Sequence, residues 1–266
     1  MPRRLLIPGA ALVLASLALG APAQPARAAA HQQPARRADR QADRLRSAVE
    51  AVDRRHPGRV SVAMIGRGVL RTAGPQLQLR AASLTKVLIV EAALAGGPLR
   101  PAEFADARAA LTRSDNDAAT RVWRAAGGTA GVARVVARLR LAGTHPVSSY
   151  LQPWDGWVTT AADQARVLAH VAASGGVVAT LLANVRADQR WGVGSAAPAG
   201  TRVIVKDGWL PLPGGWLAHS AGCVTSAGRQ PVCLAVLTED SPSYAEGARL
   251  ASDAARAALE VAGVLA

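Results

Sequence analysis

The sequence predicts an α+β fold, in which an antiparallel sheet is flanked by helices and an all-helical subdomain is inserted between its strands. Two observations lead to this prediction. Residues with strand-like alternation lie towards both ends of the chain, whereas residues 101–197 between them have mostly helical spacing. Helical stripes precede the first strands and follow the last, so strands from both halves can pair in one sheet with helices packed on it.

The residues that precede the domain are predicted to direct export. A basic start is followed by the apolar run Leu5–Leu19 and by small residues with Ala-x-Ala patterns, which is typical of a secretory signal peptide. Residues 1–30 are therefore assigned to a signal peptide, with an uncleaved signal anchor as the alternative, and the arginine-rich residues 31–46 to a polar tether. The domain at residues 47–266 is expected to be secreted and to act outside the cytoplasm, at the cell wall.

Three elements are predicted in the first part of the domain. Apolar residues with helical spacing run through residues 42–55, and Pro57-Gly58 ends this helix. Alternating residues 60–65 and 69–72, joined by a glycine-rich turn, predict a hairpin. A strongly apolar helix is then expected at residues 83–95.

The remaining elements follow in order. The helical subdomain is expected at about residues 81–197, with glycine-containing loops between its helices. Three strands come next, and a final helix is expected from Tyr244 to Val261. The predicted strands are residues 202–206, 216–225 and 232–238.

The two cysteines are predicted to form a disulfide. Cys223 and Cys233 fall in consecutive strands and are equidistant from Gly228 in the turn, so a hairpin would place them opposite each other. Opposed strand residues lie within the Cα separation that a disulfide needs, and an exported protein meets oxidising conditions. Two buried free thiols are the alternative.

The formal net charge of +13 comes from an excess of arginine, since only Lys86 and Lys206 are lysines among the 31 lysine and arginine residues. The arginines form no single block, so the charge does not indicate nucleic acid. A compositional origin of the charge is favoured, with anionic cell-wall polymers or lipid head groups as the alternative partners, and the protein is expected to be monomeric. Arginine does not deprotonate in proteins, whereas lysine can act as a base, so the two lysines are candidates for chemistry.

Lys86 follows Ser83 by three residues, in Ser83-Leu84-Thr85-Lys86, at the start of the apolar helix. This spacing puts the serine hydroxyl and the lysine amine on one helix face, one turn apart. A serine hydroxyl becomes an effective nucleophile when a base removes its proton, and an amine can do so when burial and nearby cations lower its pKa. Ser83 and Lys86 are therefore the candidate nucleophile and base.

Two further motifs complete an ordered set. Ser114-Asp115-Asn116 lies in the helical region, and Lys206-Asp207-Gly208, followed by Trp209, ends a predicted strand. Together with Ser83-x-x-Lys86, they resemble the signature of serine β-lactamases and penicillin-binding proteins, namely Ser-x-x-Lys, Ser-Asp-Asn and Lys-Thr-Gly. The resemblance covers about residues 47–266, is greatest to the class A branch, and implies a β-lactamase/transpeptidase-like fold.

The resemblance implies a catalytic role for four residues. Ser83 would be acylated by a β-lactam or by a D-alanyl stem peptide of peptidoglycan, with Lys86 as its base. Ser114 would relay a proton to the leaving nitrogen, and Lys206 would hold a substrate carboxylate and tune Ser114.

The resemblance also implies substrate contacts next to these residues. The backbone N–H groups of Ser83 and Trp209 would form the oxyanion hole. Asn116 would bind the amide side chain of the substrate, Asp207 and Gly208 would line the substrate-binding strand, and Asp115 would hold its loop.

Two departures from the family pattern alter the expected chemistry. Asp207 stands where the family has threonine or serine, and a carboxylate there would repel a substrate carboxylate unless it points away or is protonated. The class A glutamate that activates the deacylating water has no counterpart, because no glutamate occurs between Glu103 and Glu239. Asp155 is the only carboxylate in the corresponding stretch, residues 146–157, so the acyl-enzyme is expected to hydrolyse slowly.

Two functions remain open at this point. The first is an exported serine hydrolase, either β-lactamase-like or D-Ala-D-Ala carboxypeptidase-like; the second is a non-catalytic peptidoglycan-binding module on the same fold. The five histidines have no metal-ligand spacing, so neither a metal nor a cofactor is expected. Most tryptophans lie beside glycine or proline and are expected to anchor loops, with the lining of a peptidoglycan-facing cleft as the alternative. Trp209 is excepted because it follows Lys206-Asp207-Gly208.

Overall fold

The computed structural model describes residues 24–265 of the chain, and its side chains from Asp39 onwards. The chain divides into two compact units, residues 1–38 and residues 39–266. Helix α1, Gln24–Asp53, includes residues of both units.

The segment before the domain is only partly described. Residues 1–23 of the predicted signal peptide lie outside the described part of the chain. The predicted tether, residues 31–46, is helical as part of α1, because alanine and arginine are both good helix formers despite the polar composition. Leu45, Val49 and Val52 form the expected apolar stripe and are buried, so the last turns of α1 belong to the core of the second unit.

The second unit contains helices and strands in the predicted order. The further helices are α2 (Thr85–Leu94), α3 (Pro101–Thr112), α4 (Asn116–Ala125), α5 (Gly128–Arg138), α6 (Ala161–Ser174), α7 (Gly176–Ala183), α8 (Val193–Ala196) and α9 (Tyr244–Val261). The strands are β1 (Arg59–Gly66), β2 (Val69–Ala73), β3 (Leu79–Arg80), β4 (His145–Pro146), β5 (Trp157–Thr159), β6 (Arg202–Leu212), β7 (Gly215–Thr225) and β8 (Val232–Glu239).

The main sheet joins both halves of the chain. Its five antiparallel strands are ordered β2-β1-β8-β7-β6, so the first hairpin pairs with the last strand through register pairs such as Val62 with Val236. Helices α6 and α9 pack against β1, β7 and β8. The predicted α+β fold, with a mainly helical segment inserted between two groups of strands, is confirmed.

Two features of the strands differ from the prediction. A second, three-stranded sheet with the order β3-β5-β4 lies partly within the segment expected to be all helical. Its strands of two or three residues are too short to show a period of two in the sequence. In addition, β6 continues past Lys206-Asp207-Gly208 to Leu212, so this motif lies inside a strand and not at its end.

Strand β6 lies at the edge of the main sheet, next to the turn that carries Ser83. Pro211 is compatible with an edge strand, where a missing N–H breaks no ladder between two neighbours. The free edge of β6 packs against the 3-10 turn Ala82–Leu84, which precedes α2. The strand that carries Lys206 and the turn that carries Ser83 are therefore neighbours.

The predicted disulfide is confirmed. Cys223 and Cys233 are register partners on β7 and β8, and their sulfur atoms are bonded. Within residues 24–265, no single helix combines the length and apolar character needed to cross a membrane; α6 and α7 meet that test only together, as a pair bent by 108°.

Candidate active site

Ser83 lies in a 3-10 turn that runs directly into α2, and its side chain is half-buried. The preceding residue, Ala82, has a φ of 48°, a left-handed conformation that alanine adopts only where the surrounding structure imposes it. A Cβ atom at Gly208 would lie 2.9 Å from the Ser83 backbone nitrogen. Glycine at this position allows β6 to approach the turn closely, as the expected oxyanion hole of Ser83 and Trp209 requires.

The Lys86 amine is enclosed by polar atoms of the Ser114-Asp115-Asn116 segment. Lys86 is fully buried, and its Nζ donates to the Ser114 carbonyl oxygen at 2.5 Å and to Asn116 Oδ1 at 2.7 Å. Burial, reinforced by the charge of Lys206, lowers the pKa of Lys86 to about 6. The amine is therefore largely neutral at pH 7 and can act as a base.

Lys206 reaches the same serine from the opposite side. It is fully buried on β6, and its Nζ lies 2.9 Å from Ser114 Oγ and 2.8 Å from the Asp207 carbonyl oxygen. Lys86 Nζ lies 3.0 Å from the same Ser114 Oγ. The Ser114 hydroxyl thus bridges the two buried amines.

This bridge can move a proton. A charged Lys206 donates to Ser114 Oγ, whereas a neutral Lys86 has a lone pair that accepts the Ser114 hydroxyl proton. Ser114 has a φ of 56°, so its backbone also adopts the uncommon left-handed conformation. The Ser83 hydroxyl is not among the hydrogen-bond partners of Lys86 in this part of the structure; such contacts often tighten only when substrate is bound.

Asp115 and Asn116 hold this arrangement in place. Asp115 is the N-cap of α4, and its carboxylate accepts a hydrogen bond from the Ala118 N–H at 2.9 Å, in agreement with the expected structural role. Asn116 is the first residue of α4, and its Oδ1 accepts from Lys86. Its side-chain NH₂ group is therefore the part that could bind a substrate carbonyl.

Asp207 is a buried acid. The side chain is 1% exposed, and neither carboxyl oxygen makes a well-formed hydrogen bond to the described residues, although Ser220 is its register partner on β7. Burial raises the pKa of Asp207 to about 8, even though Ser220 and Lys206 act in the opposite direction. The acid is therefore mainly protonated at pH 7, which removes the expected charge repulsion. The carboxyl group of Asp207 is enclosed by its neighbours, and the contact of Asp207 with substrate stays a prediction.

Trp209 belongs to an aromatic cluster. Its ring packs on Tyr244, together with the rings of Trp191 and Trp216, at centroid distances of 5.4 to 6.1 Å from the Tyr244 ring. All four residues are half-buried. The cluster anchors the β6–β7 hairpin to the start of α9, and the contact of Trp209 with substrate stays a prediction.

Asp155 has a structural task. Its carboxylate oxygens accept hydrogen bonds from the backbone N–H groups of Tyr150, Leu151 and Gln152 at 2.7 to 2.9 Å, and the residue is buried. These bonds stabilise the turn before β5. The only carboxylate that the sequence offered for activating water is therefore committed to its own loop.

The residue that contacts Lys86 from this loop is Trp154. The Lys86 Nζ lies 4.7 Å from the centroid of the Trp154 ring, and Trp154 is 3% exposed. From the sequence, Trp154 is one of the tryptophans expected to anchor a loop or to line a peptidoglycan-facing cleft, and its contact with Lys86 is not predicted. Its position directly before Asp155, in the stretch that corresponds to the class A catalytic loop, was the available signal.

A buried histidine supports the backbone before the nucleophile. His219 on β7 accepts a hydrogen bond from the Thr238 N–H at its Nδ1, and its Nε2 lies 3.0 Å from the Arg80 carbonyl oxygen. Burial lowers the pKa of His219 to about 4, so the ring is neutral and donates from Nε2. This bond fixes β3 three residues before Ser83.

The comparisons with known proteins agree with this geometry. The sequence profile of the beta-lactamase enzyme family matches residues 107–262. No curated protein sequence matches the chain.

Solved structures share the fold at low sequence identity. A class A beta-lactamase from Mycobacterium abscessus is 18% identical with a TM-score of 0.71, over 82% of this chain and 99% of that one. A class A beta-lactamase from Bacteroides cellulosilyticus is 14% identical with a TM-score of 0.71, over 84% and 98%. A beta-lactamase from Streptosporangium roseum is 17% identical with a TM-score of 0.69, over 84% and 100%.

Proposed function

Because the chain belongs to the beta-lactamase enzyme family, we propose that it is an exported serine hydrolase that forms an acyl-enzyme on Ser83. The observation that carries this proposal is the Ser114 hydroxyl, which lies between two fully buried amines at 2.9 and 3.0 Å. Lys86 and Lys206 are the only lysines of the chain, and both contact the Ser114 hydroxyl.

Acylation uses these groups in two steps. Ser83 Oγ forms a bond to the substrate carbonyl carbon, and its proton passes to the neutral Lys86 amine. The negative charge that develops on the carbonyl oxygen is stabilised by the backbone N–H groups of Ser83 and Trp209.

The second step releases the amine. The bond from the carbonyl carbon to nitrogen breaks, and the nitrogen takes the Ser114 hydroxyl proton, which the Lys86 ammonium then replaces over their 3.0 Å contact. Lys206 remains protonated and stabilises the Ser114 oxygen while it lacks its proton.

The proposed substrates are β-lactams and the D-alanyl stem peptides of peptidoglycan, at an extracytoplasmic location near the anionic cell wall. The disulfide between Cys223 and Cys233 supports this location, since disulfides persist in oxidising compartments. Deacylation is proposed to be slow, because the catalytic-loop carboxylate Asp155 is bound by backbone N–H groups and is not available to activate water.

The test is covalent labelling with a fluorescent penicillin, read by gel fluorescence and intact mass. The wild-type protein should gain the mass of one ring-opened penicillin, and Ser83→Ala should gain none. Lys86→Arg should be labelled far more slowly, because arginine keeps a cation there but is not a base.

The second candidate, a non-catalytic peptidoglycan-binding module, is favoured by the same bound Asp155. It is distinguished by a pull-down on isolated peptidoglycan. If neither protein is labelled and if wild type and Ser83→Ala bind peptidoglycan equally well, acylation is wrong and the binding module is correct.

A further inference from the structure

We propose that Trp154 is a positioning residue that keeps water away from the Lys86 amine and thereby prolongs the lifetime of the acyl-enzyme. This inference rests on the proposed acylation of Ser83. It concerns the second half of the reaction, in which the ester is either hydrolysed or retained.

The surroundings of the Lys86 amine leave little room for a solvent molecule. The Ser114 carbonyl oxygen, Ser114 Oγ and Asn116 Oδ1 lie within 3.0 Å of Nζ, and the face of the Trp154 ring lies 4.7 Å away. Lys86 is 0% exposed and Trp154 is 3% exposed. The amine is thus enclosed by polar atoms of one segment and by an aromatic ring of another.

The Trp154 ring is held in this position by two sets of bonds. Its indole N–H donates to Thr120 Oγ1 at 3.1 Å, and Thr120 lies on α4, the helix that begins at Asn116. Directly after Trp154, Asp155 binds three consecutive backbone N–H groups of the same loop. The ring is therefore fixed to α4 on one side and, on the other, to a loop that the hydrogen bonds of Asp155 stabilise.

Hydrolysis would need a water molecule next to the Lys86 amine, which the Trp154 ring covers on one side. The oxygen of that water forms a bond to the ester carbonyl carbon, and Lys86 Nζ accepts its proton. The bond from the carbonyl carbon to Ser83 Oγ then breaks, and Oγ recovers a proton from Lys86, which leaves a free acid product. A neutral Lys86 could activate water in this way, but an indole ring gives such a water no acceptor on its face comparable to a carboxylate.

Removal of the ring should therefore start hydrolysis without adding a new base. Trp154→Ala leaves space next to Nζ that exceeds the roughly 30 Å³ of one liquid water. Trp154→Phe keeps an aromatic ring next to Nζ, although this ring is smaller and lacks the indole N–H. We expect the Ala variant to lose its penicillin adduct at least tenfold faster than wild type, and the Phe variant to resemble wild type.

The experiment measures adduct decay by intact mass after excess fluorescent penicillin is removed, together with the acylation rate of each protein. Trp123→Ala is the matched control, because Trp123 is a half-buried tryptophan on α4 whose ring packs beside Gly128. A general loss of packing would change acylation and decay in both alanine variants. The proposal requires faster decay, compared at equal initial labelling, only in Trp154→Ala.

The outcomes separate the two levels of inference. An adduct on Trp154→Ala that decays as slowly as on wild type overturns the role of Trp154 and leaves the proposed function intact. If the Ala variant does not fold, Trp154→Leu replaces it, and decay at the wild-type rate overturns the proposal in the same way. Absence of any adduct on wild type and on all variants overturns the proposed function, and this inference with it.

Discussion

Lowering the pH from 7 to 5 should slow acylation of Ser83 about tenfold, because it protonates the Lys86 amine. Burial, reinforced by Lys206, lowers the pKa of Lys86 to about 6. About nine-tenths of the amine is then neutral at pH 7 and about one-tenth at pH 5. An ordinary lysine with the reference pKa of 10.5 would be neutral in only about 0.03% of molecules at pH 7, so burial raises the available base about 3,000-fold.

Three other buried groups with shifted pKa values, Lys206, Asp207 and His219, titrate outside this window. Burial lowers the pKa of His219 to about 4, and Lys206 and Asp207 titrate near 8. A limb near pH 6 in the acylation rate that disappears in Lys86→Arg therefore reports Lys86.

The assay is stopped-flow acylation by a fluorescent penicillin at subsaturating concentration, from about pH 4.5 to about pH 10.5, with circular dichroism to confirm folding at each pH. Lys86→Arg is the control, since its residual rate should show no limb near pH 6. A wild-type rate that changes less than twofold between pH 5 and 7, or that rises only above pH 9, would refute Lys86 as the base.

Four further outcomes are expected. Burial lowers the pKa of Lys206 to about 8, so acylation by wild type should fall above pH 8 as Lys206 loses its charge. Arginine stays charged, so in Lys206→Arg this fall should move beyond pH 9. If the fall does not move in the same stopped-flow assay, Lys206 is not its source. Asp155→Ala should lower the free energy of unfolding by about 1–3 kcal/mol in urea titrations, since three backbone N–H groups lose their acceptor. Replacing Cys223 and Cys233 by serine should lower it by about 2–3 kcal/mol, and an unchanged urea midpoint would contradict the disulfide. Burial raises the pKa of Asp207 to about 8 in the folded state, above the reference value of 3.8 for the unfolded state. The free energy of unfolding of wild type therefore falls as the pH rises from 3.8 to 8. Asn carries no proton to lose, so Asp207→Asn should have a higher urea midpoint than wild type at pH 7, and the difference should shrink towards pH 4.

The residues that bridge the two halves of the site were predictable because local rules place each of them. Ser83 and Lys86 are one helical turn apart, and Ser114 lies directly before the cap of a helix. Lys206 directly follows the apolar run Val203-Ile204-Val205 of a strand, and the cysteine hairpin is symmetric about its turn. The family resemblance then stated which of these separate elements meet.

The catalytic loop could not be predicted in the same way. The contact of Trp154 with Lys86 joins residues 68 positions apart, and it depends on a turn that Asp155 imposes through backbone N–H groups. A sequence shows that a carboxylate is present, but not that its oxygens are already occupied. The protonated state of Asp207 likewise follows from enclosure by its neighbours, which no local pattern reveals.

The scarcity of lysine has a practical consequence for monitoring the cleft. Both ε-amino groups of the chain are fully buried, so an acylating reagent such as an N-hydroxysuccinimide ester finds no lysine on the surface of the folded domain. Apart from reaction at the α-amine, the rate of lysine modification at neutral pH would therefore measure how often the cleft opens. Peptide mapping over a labelling time course would report, through Lys86 and Lys206, the transient separation of α2 and β6.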